Sequence, residues 1–305
     1  MGMRVFVTGA SGYLGAAIAE RLVKAGCEVQ GLVRGKDRAA VLGTLGVKPV
    51  VGDLENPESF LSDLKNNDAV IHAAARPGPE AARLDQQVLE AIQASVVDGR
   101  VRRVLYTSGV WVHGDTGERI EDESSALSPA DIVAWRPAHE EAVLDLVEHE
   151  AHVTVLRPGM VYGGTGGAFG AWFREARDKK TITYAGNGSQ HWNMVHVADV
   201  AEGYRLALEH ARGGSRFILV DESHFTVREL AEAAAKAAGA EPKAWPREQV
   251  LKKLGPLGAA LLLDQRVTAG KARRELGWVP LHTSFVNEAP DLHRDWLAGE
   301  KAPVA

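Results

Sequence analysis

The feature that most constrains this chain lies at its start. Val5-Phe6-Val7 is a short run of strand-forming residues. It passes directly into Thr8-Gly9-Ala10-Ser11-Gly12-Tyr13-Leu14-Gly15 and then into an amphipathic stretch that predicts a helix over 14–24. Three glycines at intervals of three, between a strand and a helix, leave few options. Gly9 permits a tight turn, Gly12 lets a ligand approach the backbone, and Gly15 lets helix and strand pack closely. The first N–H groups of the helix lack partners within it and suit phosphate oxygens. The pattern predicts a dinucleotide turn in which Gly9, Ser11, Gly12, Tyr13 and Leu14 meet the pyrophosphate; a tight turn without ligand is the plainer alternative.

Short apolar runs then alternate with amphipathic ones. Strands are predicted at 28–33, 47–51, 69–71 and 101–106, with helices at 57–64 and 82–97. This alternation predicts an α/β chain: a Rossmann, doubly wound parallel sheet whose ligand crevice lies at the strands' carboxyl ends. Beyond residue 113 the rhythm loosens. A helix to about 148, a strand at 153–156 and a glycine-dense stretch at 159–170 precede helices at 200–210, 227–238 and 247–263 and a strand at 217–220. The expected division is a dinucleotide-binding domain over 1–157 and a smaller capping lobe over 158–305, partly interleaved with the first.

The 305 residues carry a net charge of −5, which argues against nucleic acid or an anionic membrane as the main partner. One cysteine, Cys27, allows no internal disulfide, and no apolar run reaches membrane-spanning length. The N-terminus lacks the pattern of a signal peptide, so the expectation is a cytoplasmic protein. No metal site is expected.

Several segments carry a family resemblance. Gly52-Asp53-Leu54 follows the third predicted strand, and Ile71-His72-Ala73-Ala74-Ala75 ends the fourth. Leu156-Arg157-Pro158-Gly159-Met160-Val161, then Val195-His196-Val197-Ala198-Asp199, then Lys271-Ala272-Arg273-Arg274-Glu275-Leu276-Gly277-Trp278 complete the series. With the glycine turn, these resemble the short-chain dehydrogenase/reductase superfamily, in its extended and atypical branches, over nearly the whole chain. The resemblance implies a nicotinamide cofactor bound also by Asp53, Leu54, Ala73, Ala74, Ala75, Thr107, Pro158 and Val161.

The second strand ends in Val33-Arg34. An NAD site wants an acidic residue there to accept from the ribose hydroxyls. Arg34 is a fixed cation whose donor fork suits a 2′-phosphate, with Lys36 and Arg38 adding charge and Asp37 offsetting part of it. The expected cofactor is NADP(H); a solvated basic loop is the plainer alternative.

The resemblance also implies a catalytic hydroxyl after the fifth strand and a tyrosine–lysine pair four residues apart. None of the five tyrosines has a lysine four residues later. The hydroxyl position falls on Gly109, with Ser108 adjacent. Two registers fit the next helix. One puts Arg136 on the lysine, Glu140 one turn on and Ile132 on the tyrosine; the other puts Trp135 on the tyrosine and His139 on the lysine. The candidate catalytic residues are therefore Ser108, Arg136 and His139: Arg136 to hold ribose hydroxyls, His139 or Ser108 to supply a proton. His113 and bound water are further proton sources, and each histidine has a structural alternative.

Trp111, Trp135, Phe169, Trp172, Phe173 and Trp192 fall near segments expected to line the crevice, which suits an apolar or aromatic small-molecule substrate; the alternative is that they fill the cap's own core. Arg266 alone is a weak anchor for the second pyrophosphate of a nucleotide sugar. Three functions follow: an NADP(H)-dependent oxidoreductase acting on a small carbonyl, imine or enone; a non-catalytic NADP(H) sensor or scaffold; and a nucleotide-sugar epimerase or dehydratase. Homodimerisation stays open.

Overall fold

The computed structural model describes residues 2–301. Among the described residues there are eleven strands: β1 (Arg4–Thr8), β2 (Glu28–Val33), β3 (Lys48–Val51), β4 (Ala69–His72), β5 (Arg103–Thr107), β6 (His152–Pro158), β7 (Met160–Tyr162), β8 (Thr181–Ala185), β9 (Met194–His196), β10 (Ser215–Leu219) and β11 (Glu241–Trp245). The helices are α1 (Tyr13–Lys24), α2 (Lys36–Thr44), α3 (Glu58–Lys65), α4 (Ala81–Val97), α5 (Arg136–Leu144), α6 (Gly167–Lys179), α7 (Val197–His210), α8 (Val227–Ala238), α9 (Arg247–Leu254), α10 (Pro256–Leu261), α11 (Gly270–Leu276) and α12 (Phe285–Lys301). No described helix is long and apolar enough to cross a membrane.

Seven strands form one parallel sheet in the order β10-β6-β5-β4-β1-β2-β3. Its central strands are apolar through their middle positions because both faces are covered: Val5, Phe6 and Val7 are each fully buried. One face packs against α1, α7 and α11 through Ile18, Leu22, Tyr204 and Trp278, and the other against α3, α4 and α5 through Phe60, Val88, Ile92 and Val143. Strand order reverses between β1 and β4, so a crevice opens at their carboxyl ends. The glycine turn ends one of these strands and His72 ends the other.

The C-terminal half is shared between the layers. β10 pairs with β6 in the main sheet and α7 packs beneath it. The cap is built from β8 paired with β11, β7 paired with β9, and α6, α8 and α12, around a core containing Tyr162, Phe169, Trp172, Phe173, Trp192, Phe285 and Trp296. The helix expected over 247–263 is two helices, because Gly255 takes a left-handed φ of 53° and Pro256 starts a new helix. Pro137 lies in the first turn of α5, where its missing N–H costs nothing, so it starts the helix rather than kinking it.

Candidate functional site

The turn after β1 is built by close backbone approaches. Gly9 has φ 71°, and a Cβ there would stand 2.7 Å from the Ala74 backbone. The chain ends of β1 and β4 therefore touch. Gly15 packs onto the turn itself, since its Cβ would strike the Gly9 carbonyl oxygen. Gly12 differs: its backbone is extended, and its Cβ would meet only the Gly9 oxygen, at 3.1 Å. It caps α1 with no side-chain hydrogen bond, and the first turn of α1 holds no acidic residue. The helix start thus offers unspent amides to an anion.

A groove of about 570 Å³ runs along this turn. Gly9, Ser11, Gly12, Tyr13, Leu14, Arg34, Asp53, Leu54, Ala73, Ala74 and Ala75 all line it, as expected, and Arg38, Arg76 and Leu84 join them. Arg34 and Arg38 stand together at the end reached by β2 and are paired with no carboxylate among the described residues; Arg38 makes one long contact, 3.5 Å, to the Ser11 carbonyl. The Lys36 side chain lies outside the described residues. Arg76 forms an ion pair with Glu55 at the groove. The small side chains, the extended Gly12 and the two cations fit a dinucleotide.

The groove opens into a chamber of about 190 Å³. The two share Leu54, Ala74, Ala75, Arg76, Pro77 and Leu84. The rest of the chamber wall is His72, Gly78, Ala81, Asp85, Trp111, Ile132, Val133, Trp135 and Arg136. Arg136 lies over the Trp135 ring at 4.6 Å and donates from Nη1 to the Thr107 carbonyl at 2.7 Å. Ile132, Trp135 and Arg136 all border the chamber, and among the described residues no tyrosine does.

Two residues of this wall, His72 and Asp85, belong to a polar hub that the sequence did not announce. Asp85, on α4, sits between two histidines. His72 Nε2 lies 3.2 Å from Oδ1, His139 Nδ1 lies 2.7 Å from Oδ2, and the Tyr106 hydroxyl donates to Oδ2 at 2.7 Å. His72 Nδ1 is 2.6 Å from Thr8 Oγ1, which in turn accepts from the Ala74 amide. Burial opposes the Asp85 charge, but the bonds from His139 and His72 outweigh it and hold the carboxyl well below its usual range.

Several expected site residues sit elsewhere. His139 is on the α4–α5 seam against Asp85, outside the chamber lining. Thr107 turns its hydroxyl to Tyr204, which donates to it at 2.6 Å. Pro158 is buried and Val161 packs against the sheet core, neither lining the groove. Ser108 is buried and its Oγ has no partner, yet it does not border the chamber. His113 is fully buried between Glu121 and Arg157. Burial, then the Arg157 charge, pushes its pKa down, and it borders neither the groove nor the chamber. Glu140 is also buried and holds Arg157 through two bonds, at 3.1 and 2.5 Å. Of the aromatic residues, Trp111 and Trp135 line the chamber. Phe169, Trp172, Phe173 and Trp192 fill the cap core instead.

The comparisons with known proteins agree with this architecture. Residues 5–219 match the model of the NAD dependent epimerase/dehydratase family. An uncharacterized Schizosaccharomyces pombe protein, C2A9.02, is 32% identical over 292 residues, covering 94% of this chain and 98% of that one. A Stigmatella aurantiaca protein, 4-hydroxy-2-methyl-3-oxo-4-farnesyl-3,4-dihydroquinoline-1-oxide ketoreductase, is 29% identical, covering 90% of this chain and 92% of its own. In fold, the chain is similar to DesIV, a dTDP-glucose 4,6-dehydratase from Streptomyces venezuelae with NAD and TYD bound. The TM-score is 0.84 at 21% identity, over 99% of this chain and 100% of DesIV.

Proposed function

Because the chain belongs to the NAD dependent epimerase/dehydratase family, we propose that it is an NADP(H)-dependent oxidoreductase. Its substrate would be a small apolar or aromatic molecule, reduced at a carbonyl, imine or enone. The observation that carries this reading is the continuity of the groove with an aromatic-walled chamber. A dinucleotide laid along the glycine turn has its adenosine end at Arg34 and Arg38 and its other end at the chamber mouth. Bound there, the nicotinamide supplies hydride, and the protein supplies position, exclusion of water and charge. Arg34 and Arg38 favour a 2′-phosphate, since neither accepts a ribose hydroxyl hydrogen. The similarity to a ketoreductase whose named substrate is a farnesyl-bearing 3-oxo-dihydroquinoline supports an apolar ketone.

A nucleotide sugar fits less well. Arg266, the cation expected for its second pyrophosphate, donates to the Gly117 carbonyl at 2.7 Å and packs against His191 at 3.0 Å. A pure sensor has no need of the chamber. The test is NADPH and NADH oxidation across a panel of aryl ketones, cyclic imines and enones. NADPH-dependent turnover of at least one class is expected. Firm NADPH binding with no turnover on the panel overturns the oxidoreductase reading in favour of a sensor, and tighter NADH binding overturns the cofactor choice.

A further inference from the structure

Arg136, expected from the sequence to hold ribose hydroxyls, borders the chamber and not the groove along the glycine turn. Arg136 spends one N–H on the Thr107 carbonyl and rests its plane on Trp135. Among the described residues no carboxylate comes within 4.0 Å of it. A guanidinium has five N–H donors and stays protonated in proteins. Asp85 borders the same space, but its oxygens already receive His72, His139 and Tyr106. The remaining wall near Arg136 is Trp111, Ile132, Val133 and Pro77, which offers no acceptor side chain. A cation with unspent donors in an apolar concave wall calls for an acceptor brought by the ligand.

We propose that Arg136 binds the oxygen of the substrate, so that the chamber selects apolar or aromatic molecules bearing a carbonyl or carboxylate oxygen. For its chemistry this rests on the oxidoreductase reading. Hydride addition to the carbonyl carbon sends the C=O π pair onto oxygen. Arg136 stabilises that anion while keeping its own proton, and a water molecule protonates it to the alcohol, leaving hydroxide for the bulk to neutralise. Arg136 then takes the electrophilic part of the work, which explains how a chamber without a bordering tyrosine serves a reduction.

The test uses binding before it uses rate. Calorimetry of the full chain without nucleotide compares 2-naphthoate with 2-naphthalenemethanol, which share a ring and differ in charge. Naphthoate is expected to bind about tenfold more tightly or better, as a charge-assisted contact implies. Arg136→Gln should abolish that preference and Arg136→Lys should keep part of it, with circular dichroism unchanged. Equal binding of the two probes, a preference that survives Arg136→Gln, or strict competition between naphthoate and NADP⁺ overturns the assignment. Rates separate it from the reading beneath it. Carbonyl reduction at full kcat/KM by Arg136→Gln removes Arg136 and leaves the oxidoreductase standing. Naphthoate binding through Arg136, with no NADPH consumed on any carbonyl, removes the oxidoreductase and leaves the site standing.

Discussion

Tyr13 donates its hydroxyl hydrogen to the Gly163 carbonyl at 2.6 Å, and so ties the dinucleotide turn to the glycine-dense loop beyond β7. The loop is glycine-rich for two reasons. Gly163, Gly164 and Gly167 have φ of 93°, 62° and 67°, the left-handed region. A Cβ on Gly166 would also enter the Tyr13 ring. Burial pushes the Tyr13 phenol well above its usual pKa, so the clasp keeps its proton at all working pH values.

Loss of this clasp should be graded. Tyr13→Phe removes one partly buried hydrogen bond and should cost about 1 kcal/mol. Gly166→Ala drives a methyl group into the ring and should cost more. Urea denaturation measures both, and a larger loss in Tyr13→Phe than in Gly166→Ala would contradict the packing account.

Cofactor preference should turn on Arg34. If its guanidinium holds a 2′-phosphate, the contact is worth roughly 1.5–3 kcal/mol. Arg34→Asp should therefore weaken NADPH at least tenfold while NADH holds or improves. Calorimetric titration of both nucleotides decides it, and an unchanged ratio in the variant would remove Arg34 from recognition.

The parts of this site legible in the sequence are those encoded locally. Strand, turn and helix at 5–24 need only consecutive residues, and Arg34 follows from its place at the end of β2. Asp85 was illegible because its meaning comes from four elements meeting: β4 brings His72, β5 brings Tyr106, α5 brings His139, and α4 holds the carboxylate among them. In the sequence it is one polar residue on an amphipathic helix. The cap aromatics misled for a related reason. Proximity along the chain to Gly159–Gly170 suggested the crevice, whereas α6 turns Phe169, Trp172 and Phe173 inward against α12. The strand β11 is not legible because Glu241-Pro242-Lys243 lacks strand-forming residues, and pairing with β8 overrides that preference.

A buried carboxyl, Asp221, should mark the stability curve. Asp221 is buried beside Tyr162, and burial raises its pKa to about 6. The folded state then holds a proton that the unfolded chain releases near pH 4. Between about pH 4 and 6 the unfolded form binds fewer protons, so this group makes stability fall as pH rises, and the penalty is complete above pH 6. Asp221→Asn keeps an oxygen for the Ser223 amide and removes the charge. It should raise the urea midpoint at pH 7.5 and leave it nearly unchanged at pH 4. A loss of stability at pH 7.5 would mean that the ionised carboxylate is a net stabiliser.

The proton for reduction provides the sharpest test of the chamber's geometry. His139 is the obvious donor by residue type, but its Nδ1 points to Asp85 at 2.7 Å and the residue stands outside the chamber lining. If water supplies the proton to an anion held by Arg136, no histidine limb belongs in the pH–rate profile. kcat/KM should then be flat between about pH 6 and 8. His139→Gln should keep kcat/KM within about twofold, since it removes no group from the reacting end. The same variant should lose stability, by about 1 kcal/mol, because it disturbs the bond that ties α5 to α4 through Asp85. Asp85→Asn should lose more, since it removes the charge and turns one of the two oxygens shared by His72, His139 and Tyr106 into a donor. Steady-state NADPH oxidation against pH, with denaturation of the same preparations, separates rate from stability. A tenfold fall in kcat/KM for His139→Gln, about 1.4 kcal/mol of barrier, at unchanged NADPH affinity would place the imidazole in the proton path. It would also take that step from water.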